Sequence, residues 1–188
     1  MTGAWIFICG ASGAGKDSVI AWARQALAER SDIVFARRMV TRPLQHGSEH
    51  DPVSDDEFQS LLQAGGLCWH WQAHGFHYGI ERRYAADLQA GRLVVINGSR
   101  DHAQGLPRSA GLRLVQVTAP SEQLARRLAQ RGRDTEDAVA ERLARNTHFS
   151  TLKADCLIVN DGALATAGQR LASYLGNSST LASSRMPR

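Results

Sequence analysis

This sequence predicts an α/β fold with a mainly parallel sheet, on three observations. Five short apolar runs, at 4–9, 33–37, 93–97, 112–118 and 156–159, alternate with helical patterns. Alternation of this kind lets helices cover both faces of a parallel sheet. The first run, Trp5-Ile-Phe-Ile-Cys9, passes directly into Gly10-Ala11-Ser12-Gly13-Ala14-Gly15-Lys16-Asp17-Ser18. Strand, glycine-rich loop and helix in that order make a phosphate cradle. With 188 residues and 43% apolar content, the chain has the size of one domain with a substantial core.

The elements follow in order. A helix from about Asp17 to Arg30 carries Val19, Ile20, Ala23, Ala26 and Leu27 at core-facing spacing. Ser54 and Glu57 have the spacing of a capping box, which predicts a short helix to about Gln63. Leu88-Gln-Ala-Gly91 closes another helix before the strand Leu93-Val-Val-Ile-Asn97. Pro120-Ser121 starts a helix with Leu124 and Leu128, and a further helix is expected over 135–146. The last, roughly 163–175, packs Leu164, Ala167 and Leu171. Two stretches stand outside this rhythm. Residues 38–80, rich in Arg, His, Gly and Trp, form an insert, and the short charged stretch 131–137 forms a lid. Residues 1–176 are thus expected to form one domain, and the Ser-rich tail at 177–188 to be disordered.

Composition narrows the class. No apolar run is long enough to cross a bilayer, and the N-terminal one leads into the glycine loop, not a cleavage site. The expected compartment is the cytoplasm, with no membrane partner. Cys9, Cys68 and Cys156 are odd in number and widely spaced, which favours free thiols over disulfides or metal ligands. The formal charge is +4, with twenty arginines and only two lysines, Lys16 and Lys153. Genomic composition bias accounts for that excess. No nucleic-acid motif stands out, so nucleic acid is not an expected partner.

The loop is the P-loop of phosphate-binding proteins. Backbone N–H groups of its small residues approach the phosphates, the helix start adds partial positive charge, and Lys16 reaches the terminal phosphates of ATP. Gly10, Ala11, Ser12, Gly13, Ala14, Gly15, Lys16, Asp17 and Ser18 are the nucleotide-binding candidates. Asp17 stands where a hydroxyl usually meets Mg²⁺. It either approaches the metal, directly or through a water, or simply favours the first helical turn.

Phosphoryl transfer needs cations around the moving group. Arg131, Arg133, Arg142 and Arg145 are placed to close over the phosphates, and the first three join Lys16 as catalytic candidates. Arg126 and Arg127 read as a solvated face. Arg38 and Arg42 follow the second strand, on the rim where open α/β sheets bind ligands, and suit an acceptor phosphate. Asn97, Ser99 and Arg100 end the third core strand; they hold sugar hydroxyls or phosphate, or form a plain helix cap. The stretch Trp69-His-Trp-Gln-Ala-His-Gly-Phe-His-Tyr78-Gly79 is either an aromatic wall beside the acceptor or packing alone. Gly75 interrupts its histidines, so a metal site there is disfavoured.

These residues resemble the guanylate-kinase branch of nucleoside-monophosphate kinases. The matches are the P-loop, Val40-Thr41-Arg42-Pro43, Gly47-Ser48-Glu49, His77-Tyr78-Gly79, Arg131-Gly132-Arg133 and Ile158-Val159-Asn160-Asp161, in order along the chain. The resemblance implies a P-loop NTPase fold, an acceptor role for Glu49 and Tyr78, and Asn160 near the adenine. The departures concern the substrate. Asp17 replaces a hydroxyl, Leu44-Gln45 replaces a second arginine, and the acid that reads guanine falls near Trp69. Gly15-Lys16-Asp17-Ser18 with Ile96-Asn97-Gly98-Ser99-Arg100 resembles the ribose 1,5-bisphosphate phosphokinases of phosphonate catabolism. That implies ATP and Mg²⁺, a small phosphorylated sugar as acceptor, and 5-phosphoribosyl 1-diphosphate as product. A guanylate or other nucleoside-monophosphate kinase is the alternative enzyme. A guanylate-kinase-like interaction module and a basic RNA-binding protein are the alternatives without this chemistry. The oligomeric state stays open between monomer and homodimer.

Overall fold

The structure is a computed structural model that describes residues 3–11, 13–44, 49–107, 109, 111–130 and 152–184. All five expected strands form one parallel sheet: β1 (Ala4–Gly10), β2 (Ile33–Phe35), β7 (Leu93–Asn97), β8 (Leu112–Thr118) and β9 (Cys156–Val159). Their order is β2-β7-β1-β8-β9, with β1 central. The chain leaves β1 toward one edge and later returns to its other side. Such a reversal opens a ligand crevice at the C-terminal ends of the strands.

The pleat of β1 sorts its side chains between two cores. Ile6 and Ile8 point to one face, where Val19, Ile20 and Ala23 of α1 (Lys16–Ala26) and Leu171 of α6 (Leu164–Ser184) cover them. Phe7 and Cys9 point to the other, against Trp71, Tyr78 and Ile80 of the insert. Burying each such Ile, Leu or Phe side chain contributes about 1.5–3 kcal/mol. Helix α6 crosses α1 closely because Gly168 lies under Trp22; a Cβ there would come within 2.4 Å of the indole. α6 also outruns the expected end near 175. Ala172, Leu175 and Ser178 continue its buried stripe, so residues 177–184 are helical where the composition suggests disorder.

The insert holds structure that the sequence reading left unassigned. It is a second, four-stranded sheet of order β4-β3-β6-β5, from β3 (Arg38–Val40), β4 (His50–Pro52), β5 (Leu67–Ala73) and β6 (Phe76–Glu81). Helix α2 (Asp55–Gln63) starts at the expected capping box: Ser54 Oγ accepts from Glu57 N at 3.2 Å, and Ser54 N donates to Glu57 Oε2 at 2.8 Å. α2 seals the outer face by placing Phe58 over Gly79. Helices α3 (Tyr84–Gln89), α4 (Arg100–Gln104) and α5 (Ser121–Gln130) complete the described elements. The helix expected over 135–146 and the lid at 131–137 lie outside the described residues. The three thiols are unpaired, and burial pushes that of Cys9 up to about 11. Among the described residues no helix is long and apolar enough to cross a membrane.

Candidate active site

The P-loop takes its shape from backbone freedom at two glycines. Gly13 and Gly15 adopt φ of 86° and 77°, a region that L side chains rarely enter. Gly15 precedes α1 without a side-chain cap among the described residues, which suits the first-turn N–H groups to an anion. The loop is braced from below. Asn160, buried at the end of β9, donates its amide to the Ala14 carbonyl at 2.8 Å. Asn160 therefore supports the nucleotide-binding loop. Replacing it with Ala removes the brace and leaves the Ala14 carbonyl unpaired. We expect a stability loss of about 1–3 kcal/mol and weaker ATP binding, read by calorimetry and thermal melting.

Lys16 Nζ donates to Asn97 Oδ1 and lies 3.2 Å from Asp17 Oδ1. Asn97 Nδ2 in turn donates to Asp17 Oδ1 at 2.6 Å. Loop, helix start and the tip of β7 thus meet in one three-membered network. Lys16 is only 15% exposed, and burial lowers its ammonium below the usual lysine range against the pull of Asp17. Asp17 is held well below the usual carboxylate range, first by Lys16, then by Asn97 and Arg38 against its burial. Its carboxylate stays charged and 64% exposed at the mouth of the loop.

The insert brings Arg38 to the same place. Burial pulls its guanidinium below the usual arginine range while Asp17 raises it. Its Cζ lies 5.8 Å from the centre of the Tyr78 ring. Arg42 lies over Phe76 at 5.6 Å, and its Nε is buried and unpaired among the described residues. A buried guanidinium N–H without an acceptor is the donor an anionic oxygen satisfies. His50, which the sequence reading passed over, sits beneath. It is fully buried, and its Nε2 lies 2.9 Å from the Arg42 carbonyl. A carbonyl only accepts, so Nε2 carries the proton and fixes the backbone that aims Arg42. The missed signal was a His on a strand otherwise made of Asp and Pro.

The remaining candidates divide. Glu49 pairs with Arg24 of α1 at 2.5 Å, which ties the insert to the core helix. Ser99 caps α4, its Oγ accepting from His102 N at 3.2 Å, and its O–H remains a donor. Arg100 opens α4, and Ser18 is exposed in the first turn of α1. Ser12, Arg131, Arg133, Arg142 and Arg145 lie outside the described residues. Arg126 is exposed as expected, whereas Arg127 has a buried Nη1. Trp69 packs on Trp5 and Phe7 at 5.7 and 6.0 Å, so no carboxylate stands at that point of the insert. Among the described residues no three His, Cys, Asp or Glu side chains gather as a metal site, and His77 stacks on Phe58.

The fold and the chain have known counterparts. A guanylate kinase from Anaplasma phagocytophilum superposes with a TM-score of 0.68 over 100% of this chain and 97% of its own, at 18% identity, which establishes the fold. No protein-family model matches the chain. Ribose 1,5-bisphosphate phosphokinase PhnN of Thiobacillus denitrificans is 39% identical over 178 residues, covering 93% of this chain and 94% of that protein. The protein of the same name from Acidiphilium cryptum is 42% identical over 175 residues, covering 93% of this chain and 92% of its own. Alignments covering 93% of the chain span both the P-loop core and the insert. The chain therefore belongs to the ribose 1,5-bisphosphate phosphokinase family, built on a guanylate-kinase-like P-loop fold.

Proposed function

We propose that this protein transfers the γ-phosphoryl of ATP to ribose 1,5-bisphosphate, giving ADP and 5-phosphoribosyl 1-diphosphate, in the cytoplasm. One observation carries the reading, in a chain of this family. Asp17 lies 3.2 Å from Lys16, on the donor loop, and in the field of Arg38, on the insert. Cations for two phosphorylated molecules thus flank one carboxylate at the strand ends.

The residues fit the groups the reaction needs. The uncapped start of α1 and Lys16 are suited to the donor phosphates. Arg38 and Arg42 are suited to an acceptor phosphate, with Tyr78 beneath Arg38. Asp17 is the oxygen ligand suited to Mg²⁺. Bound Mg²⁺ supplies positive charge where the phosphoryl oxygens become more anionic. The attacking acceptor oxygen is already anionic, so no side chain is needed as a general base. The chain's own contribution is alignment and charge: Lys16 held in place by Asn97, and Arg38 held by its ring partner.

The discriminating experiment compares kcat/KM for ribose 1,5-bisphosphate and GMP with the same Mg²⁺-ATP, following products by ³¹P NMR. We expect the sugar bisphosphate to be strongly preferred. A preference for GMP reverses the assignment to the nucleoside-monophosphate kinase alternative. The metal role has its own test. Asp17→Asn is expected to raise the Mg²⁺ concentration for half-maximal rate by about tenfold or more. An unchanged Mg²⁺ requirement with a slightly lower melting temperature assigns Asp17 to the helix start instead.

A further inference from the structure

The inward face of the insert sheet has two parts. Strand pairing sets Val40 opposite Tyr78, and Tyr78 opposite Trp71, in one row across β3, β6 and β5. Arg38, two residues before Val40, shares that face. The face that carries the acceptor cation therefore continues directly into an aromatic column. In that column the Trp71 indole runs nearly parallel to two neighbouring rings. It stacks on Tyr78 at 5.3 Å and 8°, and on His102 of α4 at 5.3 Å and 21°. Phe7 closes the edge, 6.0 Å from Trp71 and 5.6 Å from His102. Trp69 meets His102 edge-on at 6.1 Å. Burial lowers the His102 pKa, which favours a neutral ring suited to stacking.

Two parallel rings flanking a third is how proteins hold a flat nucleobase. Here a side chain of the protein stacks on both rings, and Trp71 is 7% exposed. We propose that Trp71 sets acceptor specificity: its indole occupies the slot between Tyr78 and His102 that a purine would need. A 1-phosphate seated at Arg38 can then carry ribose 5-phosphate, whose flexible phosphate turns away from the column, but not a flat base. The proposal deepens the phosphokinase reading and rests on it for the location of the acceptor. It differs from the absence of a guanine-reading acid, because exclusion by volume applies to every base alike. Rejection of this kind is stronger than loss of one hydrogen bond, since a packed core does not yield to an added ring.

The test measures binding, so it does not depend on turnover. Calorimetric Kd values for GMP, AMP and ribose 5-phosphate are compared in wild type and in Trp71→Ala. In wild type the base should add less than about threefold to the affinity of ribose 5-phosphate. In Trp71→Ala both nucleotides should bind about tenfold or more tighter than ribose 5-phosphate, through stacking on Tyr78 and His102. Trp71→Val, which keeps a strand-forming residue, serves if the alanine variant does not fold. A wild type that binds GMP and AMP tenfold tighter than ribose 5-phosphate has an open slot and overturns the proposal. So does a folded Trp71 variant with no gain for either base. A gain for GMP alone also overturns it, because that points to base reading and not to volume. Failure of the phosphokinase reading is seen separately, as higher kcat/KM for GMP than for ribose 1,5-bisphosphate in wild type.

Discussion

Replacing Lys16 with Ala should lower kcat by about 10²-fold or more, equivalent to about 2.7 kcal/mol of lost transition-state stabilisation. The ammonium is held by Asn97 and Asp17 before any ligand arrives, so its position costs little at the moment of reaction. Lys16→Arg should not rescue the rate. A planar guanidinium does not fit a site shaped for a point charge between an amide oxygen and a carboxylate. Steady-state kinetics with melting curves for both variants check this. A folded Lys16→Ala protein with wild-type kcat would remove phosphoryl transfer from this loop altogether.

The second large effect concerns stability and falls on Gly98. A Cβ at that position would lie 2.0 Å from Cζ of Phe7, and Phe7 is fully buried among Trp69, Trp71 and His102. Neither side has room to give. Gly98→Ala should therefore destabilise by about 3 kcal/mol, the upper end for overpacking. For a chain of this length that lowers Tm by roughly 6–12 °C. Because Asn97 is the adjacent residue, the same substitution should loosen the Lys16 network and reduce kcat. Differential scanning calorimetry gives the first number. A Tm within a degree or two of wild type would mean that Phe7 has an alternative position.

Much of this was legible in the sequence, and the reasons are local. The five core strands are apolar runs broken by helical spacing, and each pairs within one buried sheet. The P-loop and the Ser54–Glu57 box are short-range patterns whose bonding needs no distant partner. The second sheet was missed because β3 and β4 are three residues each and join the sheet only through the pairing of β3 with β6, much later in the chain. One signal did exist. Trp69, Trp71 and Ala73 alternate toward His74-Gly75, and Phe76, Tyr78 and Ile80 alternate away from it. Both turn residues have positive φ, 53° and 77°, as tight hairpin turns require. His in the first turn position hid the hairpin, since Asn or Asp is the usual cue. The roles of Asn97, His50 and His102 were illegible for another reason. Each is defined by a contact from a different element, to Lys16, to the Arg42 carbonyl and to Trp71 respectively.

Strand β1 fixes the distance between the aromatic column and the donor loop. Phe7 backs the indole between Tyr78 and His102, and Gly10 on the same strand opens the donor loop. Those two points are separated by three residues of extended chain, about 10 Å at the usual rise per residue. β1 is central and paired on both sides, so this spacing does not flex with the outer elements. With Trp71 as the stop we propose, the strand is the ruler that sets its distance from the phosphate cradle.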